Sequence, residues 1–401
     1  MQRPQAEERA PAEGGRAAVR LASDELTSGP WIFGRQVVDA GGARDGELVE
    51  VLDASERFVG HALYNGASDI RLRVLSRGRR KDLDRPREFL LAALKSADRL
   101  RRRVLRLPEV SDAYRIAHAE GDDLPGLIVD RLGSWIVCDH HSLGFWNLRA
   151  EVGWALGQLY PDLSILHRMP AGAAKAEGCP PGEPDVDPGE VIVTEHGLRY
   201  PVLPVGGHKT GWFCDQRDNR QRVASFAAGR DVADLFCNLG GFGLAAARAG
   251  ARSVRSVDLD EVVLERARAA AALNRLAVEH VHRDAFHVLR EFLARNERPG
   301  LIVVDPHKLI PNKNEVERGQ RKYLDLNALA FECVRPGGLV ATFSCSGLLG
   351  EAAFVGMLFA AARRAGRGLR LLEQYGAAPD HPQRPDFSRS RYLKGALVAL
   401  D

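Results

Sequence analysis

Between Pro30 and Leu75 apolar and polar residues alternate in short runs, WIFGRQVV, GELVEVLDA, RFVGHALY and IRLRVL. Gly41-Gly42, Asp45-Gly46 and Asn65-Gly66 separate them. Period-two alternation cut by turn dipeptides predicts short strands, here a small twisted β-barrel. The period then lengthens. In REFLLAALKSADRLRRRVL the apolar positions Phe89, Leu90, Ala93, Leu94 and Leu100 share one helical face. That predicts a helix over 86–106, closed by Pro108.

A second rhythm begins near Ser111. YRIAHAE, GLIVDRL and SWIVCDH read as strands, LRAEVGWALGQLY as a helix and LSILHRM as a strand. Residues 171–190 are rich in Gly, Pro and acids and read as a loop. GEVIVTEHGLRYPVLPV reads as a hairpin turning at His196-Gly197. This block is α+β. From about Arg230 onward strands and helices alternate: DVADLF, a Gly-rich turn and LAAARAG, then SVRSVDLD, EVVLERARAAAALNRL and so on to YLKGALVAL. Such alternation predicts a doubly wound, mostly parallel sheet, with a linker helix in 216–230 before it.

The chain has 401 residues, 45% of them hydrophobic and 27% charged. At about 100–200 residues per domain this allows two or three domains. Six cysteines, at 138, 179, 214, 237, 333 and 345, form no C-x-x-C pair, so neither a disulfide framework nor a zinc cluster is expected. No metal site is expected among the twelve histidines, and His140-His141 reads as strand surface. The first 25 residues lack an apolar core and read as a disordered tail. No apolar run reaches the roughly 18 residues of a membrane span, so a cytoplasmic protein is expected. The net charge of +3 is uninformative until divided. Arg71 to Arg106 holds fourteen Lys or Arg against four acids. That pattern suits either a polyanion-binding surface or a solvated helix face.

The first strand of the alternating region runs through Asp234 and Phe236 into Gly240-Gly241-Phe242-Gly243. A Gly-rich strand-to-helix turn lets the backbone approach a ligand. The G-x-G-x-x-G spacing of dinucleotide binders is absent. A compact Gly-Gly turn after an acid suits S-adenosylmethionine, which has no pyrophosphate to cradle. Asp258, at the end of the second strand, can accept from ribose hydroxyls. Asp284, after the third, offers a carboxylate near an adenine. The plainer alternative is that these glycines only turn the chain and these acids only cap helices.

The fourth strand ends at Asp305-Pro306-His307-Lys308 and the fifth at Ser344-Cys345-Ser346-Gly347. Strand ends of this kind face one crevice. A cysteine opposite an aspartate beside a methyl donor suggests pyrimidine carbon-5 chemistry. A thiolate adding at carbon 6 makes carbon 5 nucleophilic, and Asp305 stabilises the adduct at the ring nitrogen. Lys308 is the candidate to lower the thiol pKa. A lone strand cysteine is usually a small core residue, but the Ser-Cys-Ser-Gly setting is polar. His307 reads as a loop side chain.

These residues resemble the large-subunit ribosomal RNA methyltransferase I family. The resemblance runs over nearly the whole chain after about residue 20. Its most specific segment is His208-Lys-Thr-Gly-Trp-Phe-Cys-Asp215-Gln216-Arg217-Asp218-Asn219-Arg220, beside FSCSG at 343–347, Glu120 to Asp130, Asp380-His-Pro382 and Tyr392-Leu-Lys-Gly395. It implies a Rossmann-like class I methyltransferase domain over 208–401, a PUA-like RNA-binding domain with the basic helix over 26–107, and a central α+β domain over 108–207. It implies S-adenosylmethionine as cofactor, 23S-type ribosomal RNA as partner and methylation of cytosine carbon 5, with Cys345 as nucleophile. Phe213, Asp215 and Arg217 join Asp234, Phe236, Gly240, Asp258 and Asp284 around the cofactor. A homodimer is compatible with the sequence, which does not specify one. The chain departs from the family pattern at His307 and Leu309, where the family has Pro and Phe. It also departs at Cys237-Asn238-Leu239, Leu203 and Ser388 to Arg391. Two rivals stand beside this reading: a methyltransferase for another RNA base or a small molecule, and an RNA-binding protein with a decayed methyltransferase domain.

Overall fold

The computed structural model describes residues 16–25, 28–78, 81–184, 186–207 and 210–401. The first sheet holds β1 (Ala18–Leu21), β2 (Trp31–Phe33), β3 (Val37–Asp39), β4 (Leu48–Leu52), β5 (Phe58–Tyr64) and β6 (Ile70–Ser76), in the order β2-β6-β5-β4-β1-β3. Its core is Val19, Leu21, Ile32, Val49, Val51, Ala62, Tyr64 and Leu72. β1 corrects the expectation of a disordered tail over 1–25. Ala-Val-Arg-Leu alternates, its Val and Leu are buried, and it pairs in parallel with β4. The Ala, Glu, Arg and Pro around it masked four residues of strand pattern. Residues 1–15 of that expected tail lie outside the described residues.

Helix α1 (Pro86–Arg99) buries Phe89, Leu90, Leu94 and Ala97. It does not run to residue 106 as one α-helix. It widens into a π turn over Leu100–Val104 and ends at Arg106 with φ 53°. The reason is Arg101, which is wholly buried and held by Asp122 at 2.6 and 2.7 Å. The wide turn aims this side chain inward. Arg73 likewise pairs with the buried Glu177 at 2.8 Å. The basic stretch is therefore partly internal wiring and partly surface.

The central region contains β7 (Ala113–His118), β8 (Leu127–Leu132), β9 (Trp135–His140), α2 (Leu143–Asn147), α3 (Arg149–Leu159) and β10 (Ser164–Arg168). Its sheet runs β10-β9-β8-β7 and shares a core with α1 and α3. The expected loop over 171–190 contains a short helix, α4 (Ala171–Glu177), in which AGAAKAE supplies helix formers and Gly178 the left-handed cap. The hairpin β11 (Val191–Glu195) and β12 (Leu198–Val202) turns at His196 and Gly197, both with positive φ. His140 is not strand surface. It is fully buried and bonded through Nε2 to His167 Nδ1 at 3.0 Å.

The C-terminal region begins with α5 (Arg217–Ala224) and continues through β13 (Asp231–Leu235), α6 (Gly241–Arg248), β14 (Ser253–Asp258), α7 (Glu261–Asn274), β15 (Glu279–His282) and α8 (Ala285–Ala294). It ends with β16 (Leu301–Val304), α9 (Val316–Cys333), β17 (Gly338–Ser344), α10 (Glu351–Arg364), β18 (Leu369–Tyr375) and β19 (Lys394–Leu400). The seven-stranded sheet has the order β15-β14-β13-β16-β17-β19-β18. Pairing is parallel from β15 to β17 and antiparallel at β17/β19 and β18/β19. The chain leaves β13 toward one edge and returns at β16 on its other side. That reversal opens a crevice at the carboxyl ends of the central strands. Among the described residues no helix is long and apolar enough to cross a membrane.

Candidate active site

A cavity of about 670 Å³ occupies that crevice. The end of β13 contributes Phe236 to Leu239, with Gly241 and Phe242 behind them, and the end of β14 contributes Asp258 to Val263. Trp212, Phe213, Asp215, Gln216 and Arg220 close one side. Asp305, Pro306 and His307 follow β16, and Cys345 follows β17.

The turn after β13 is strained. Phe236, Asn238 and Gly240 have φ of 61°, 50° and 75°. A left-handed aromatic residue is costly and persists only where its surroundings hold it. Here Asp258 does so: one oxygen accepts from Asn238 N at 2.9 Å and the other from Leu259 N at 2.8 Å and Asp260 N at 3.1 Å. Beyond it, Leu259 and Val262 stand 66% and 63% exposed on the rim, apolar surface of the kind a flat aromatic ligand covers.

The candidates separate into two groups. Phe213, Asp215, Phe236, Asp258, Asp305 and Cys345 stand on the cavity wall. The others act at one remove. Asp234 lies under the turn, 1% exposed, accepting from Gly243 N at 2.8 Å. Burial pushes its carboxyl up to about 7. Gly240 caps α6. Asp284 is exposed and caps α8 through His287 N at 3.1 Å, the plainer alternative for an acid at that position. Arg217 is not on the cavity wall and pairs with the buried Asp380 at 2.9 and 3.2 Å. Lys308 is exposed on its loop and is not on the wall.

Around Cys345 the structure adds residues that strand-end reasoning did not single out. Gln216 Nε2 donates to Asp305 at 3.0 Å and Asn219 Nδ2 donates to Gln216 at 2.6 Å, aiming the carboxylate. Ser346 Oγ takes Ile310 N at 3.2 Å and meets Tyr323 OH at 3.0 Å. Tyr392 OH donates to Asp215 at 2.6 Å. Lys394, 5% exposed, donates to the carbonyls of Ser346 at 2.6 Å and Tyr392 at 2.8 Å.

Other family-like motifs meet at the junction of the central and C-terminal regions. Arg115 pairs with Asp130 at 2.8 and 2.9 Å, and Thr210 donates to the same carboxylate at 2.6 Å. Arg220 pairs with Glu195 at 2.7 and 2.8 Å, and Trp212 donates to it at 2.9 Å. Burial works against the Asp380 carboxylate, but His381 and Arg217 overcome it and hold the group well below the usual range. His208 and Lys209, which open the resembling block, lie outside the described residues.

The donor set suits S-adenosylmethionine. The cavity wall carries the carboxylates Asp215, Asp258, Asp260, Glu261 and Asp305 among apolar side chains, and the wall residue Arg220 is already committed to Glu195. Among the described lining residues a pyrophosphate would find only this committed guanidinium and exposed histidines, and the G-x-G-x-x-G turn is absent. Sheet order, crevice and donor set define a class I methyltransferase. Residues 151–397 match the S-adenosylmethionine-dependent methyltransferase family, and residues 26–77 match the PUA-like domain. The chain is 38% identical over 380 residues to the ribosomal RNA large subunit methyltransferase I of Tolumonas auensis, covering 92% of this chain and 94% of that one. It is 35% identical over 374 residues to the protein of that name from Klebsiella pneumoniae, covering 91% and 93%. A methyltransferase solved with SAH superposes with a TM-score of 0.80 at 20% identity, covering 96% of this chain and 100% of that one. A Streptococcus mutans methyltransferase superposes with a TM-score of 0.79 at 19% identity, covering 95% and 99%. At such identities these two speak for the fold. This chain belongs to the ribosomal RNA large subunit methyltransferase I family and depends on S-adenosylmethionine.

Proposed function

We propose that this protein methylates carbon 5 of a cytosine in large-subunit ribosomal RNA through a covalent bond from Cys345 to carbon 6. The observation that carries this reading is the pair Asp305 and Cys345, each one residue beyond adjacent parallel strands and both on one cavity wall. The named relatives supply the ribosomal RNA.

S-adenosylmethionine, when bound, supplies an electrophilic methyl group. Asp258 would receive the ribose hydroxyls, Leu259 and Val262 the adenine, and Phe213, Asp215 and Phe236 the remainder. Arg217, Asp234 and Gly240 would support that wall from behind, while Asp284 would act through the α8 cap it forms. Cys345 loses its proton to solvent, and the thiolate bonds to carbon 6. The electron pair of the 5,6 double bond moves to carbon 5, which would take the methyl group as its bond to sulfur breaks and S-adenosylhomocysteine leaves. Asp305 shares a proton with the ring nitrogen, where negative charge collects. Loss of the carbon-5 proton to a base returns the pair to the ring and expels the thiolate. Carbon 6 is shielded in a stacked helix, so the base is flipped into the cavity. The exposed Lys95, Arg99, Arg102, Arg103 and Arg106 supply backbone contacts, which makes binding salt-dependent. The setting of this chemistry is cytoplasmic.

The test is transfer of labelled methyl to total RNA from cells lacking the gene, comparing wild type with Cys345→Ala. The expected result is label on cytosine with wild type and none with the variant. Equal label from both moves the chemistry to another acceptor atom. No label from either, with no thermal shift on adding S-adenosylhomocysteine, favours the decayed-domain rival; saturation at 100-fold over Kd stabilises an intact pocket by about 2.7 kcal/mol.

A further inference from the structure

The motif Tyr392-Leu393-Lys394-Gly395 has no role in the chemistry described so far. Lys394 opens β19 and pairs in register with Ser344, the last residue of β17. Residues directly opposite on antiparallel strands project from the same face. The side chain thus runs beside the residue that precedes Cys345. Its ammonium donates to the carbonyls of Ser346 and Tyr392, and the first of these belongs to the residue just after Cys345. Among the described residues no carboxylate forms a salt bridge with it. A buried ammonium satisfied only by carbonyls is unusual, because burying an unpaired charge is expensive.

We infer that Lys394 is the positioning residue that holds the Cys345 turn and favours its thiolate, the part the sequence assigned to Lys308. This rests on the reading of Cys345 as the nucleophile, but it is measurable without it. Several other charged or titratable groups among the described residues bear on the pair. Asp305 stands on the same cavity wall as Cys345, beyond the adjacent strand β16, and is bonded to Gln216. Tyr323, on α9, reaches the turn through Ser346. Asp215 is bonded to Tyr392. Glu351, at the start of α10, is exposed and acts on Lys394 from a distance, and His307 and Lys308 are exposed on the neighbouring loop. Burial draws the Lys394 ammonium down to about 8, while Cys345 and Glu351 act to raise it. At neutral pH it keeps its charge, and a thiolate beside it converts a costly lone charge into a pair.

The test is the pH dependence of carboxamidomethylation of Cys345 in the full chain. Iodoacetamide is the probe, and the rate is read by mass spectrometry of the Cys345 peptide. In wild type the midpoint is expected below the roughly 8.5 of an ordinary thiol. Lys394→Met is expected to raise it by about one unit and slow alkylation at pH 7 about tenfold. Lys394→Arg keeps the charge and is expected to stay near wild type. Lys308→Met is expected to leave the midpoint in place. A wild-type midpoint at or above that of an ordinary thiol overturns the inference, whether or not Lys394→Met folds. So does a Lys394→Met midpoint equal to wild type with only the plateau rate altered, which is what a purely structural pin gives. A midpoint that moves with Lys308→Met instead of Lys394→Met also overturns it. A low wild-type midpoint together with a methylating Cys345→Ala variant leaves Lys394 in its role and removes Cys345 from the methylation chemistry.

Discussion

Asp234 sits beneath the cofactor turn with one oxygen bonded to Gly243 N and the other without a hydrogen-bond partner among the described residues. Burial raises it to about 7, whereas an unfolded aspartate titrates near 3.9. The folded chain therefore binds this proton more tightly than the unfolded one. The stabilisation is complete below about pH 4 and is lost as pH rises through about 7. Asp234→Asn keeps an acceptor for Gly243 and cannot ionise. Its melting temperature relative to wild type is expected to climb between pH 5 and pH 8. A difference that stays flat across that range would show that this carboxyl does not titrate there. At this scale the sequence resolves chemistry better than direction. Cys345 and Asp305 are legible because the strand rhythm places both at carboxyl ends. Asp258, Asp234 and Asp284 look alike in sequence, yet one reaches the wall, one is sealed under it and one caps a helix. Tertiary packing decides among them. Lys394 is separated from Cys345 by α10 and β18 and meets it only through antiparallel pairing with β17.

At the scale of elements, the turn works because α6 lies very close to the sheet. A Cβ on Gly243 would fall 2.4 Å from Ser256 Oγ and 3.1 Å from Asp234 Oδ2. Neither atom ends a long flexible side chain, so the helix itself would have to move. Gly243→Ala is expected to cost about 1–3 kcal/mol in urea unfolding and to weaken S-adenosylhomocysteine binding. Unchanged values in both would mean that the contact is not tight. Alternating strands and helices made the C-terminal sheet legible, and the His196-Gly197 dipeptide marked the separate β11–β12 hairpin. What escaped were short or irregular pieces. β1 is a four-residue strand within polar surroundings, α4 lies in a segment coloured by Gly and Pro, and the π turn exists to bury one arginine. β1 and the π turn owe their form to partners far away in sequence, whereas α4 forms from local helix formers that the surrounding Gly and Pro obscure.

At the scale of the whole molecule, the motifs that look catalytic do two jobs. One set lines the cavity. The other joins regions: Arg115, Asp130 and Thr210 link the central sheet to the segment before α5, and Asp380 gathers Arg115, Arg217 and the Arg101 that leaves α1. Trp31 of the first sheet extends the connection, donating to Glu120 at 2.9 Å and packing on Phe387 at 4.8 Å. Buried ion pairs of this kind are weak sources of net stability but strong constraints on geometry. They tie the first sheet to the loop that leads to Tyr392 and Lys394.

The central claim is a covalent bond between Cys345 and a cytosine, and a large-subunit ribosomal RNA transcript carrying 5-fluorocytidine tests it most directly. Fluorine at carbon 5 leaves no proton to remove, so the adduct cannot resolve after methyl transfer. With S-adenosylmethionine present, wild type is expected to give a protein–RNA band that survives denaturation, and Cys345→Ala none. An equal band from both proteins would contradict the account. So would no band from wild type on a transcript whose unfluorinated form it methylates.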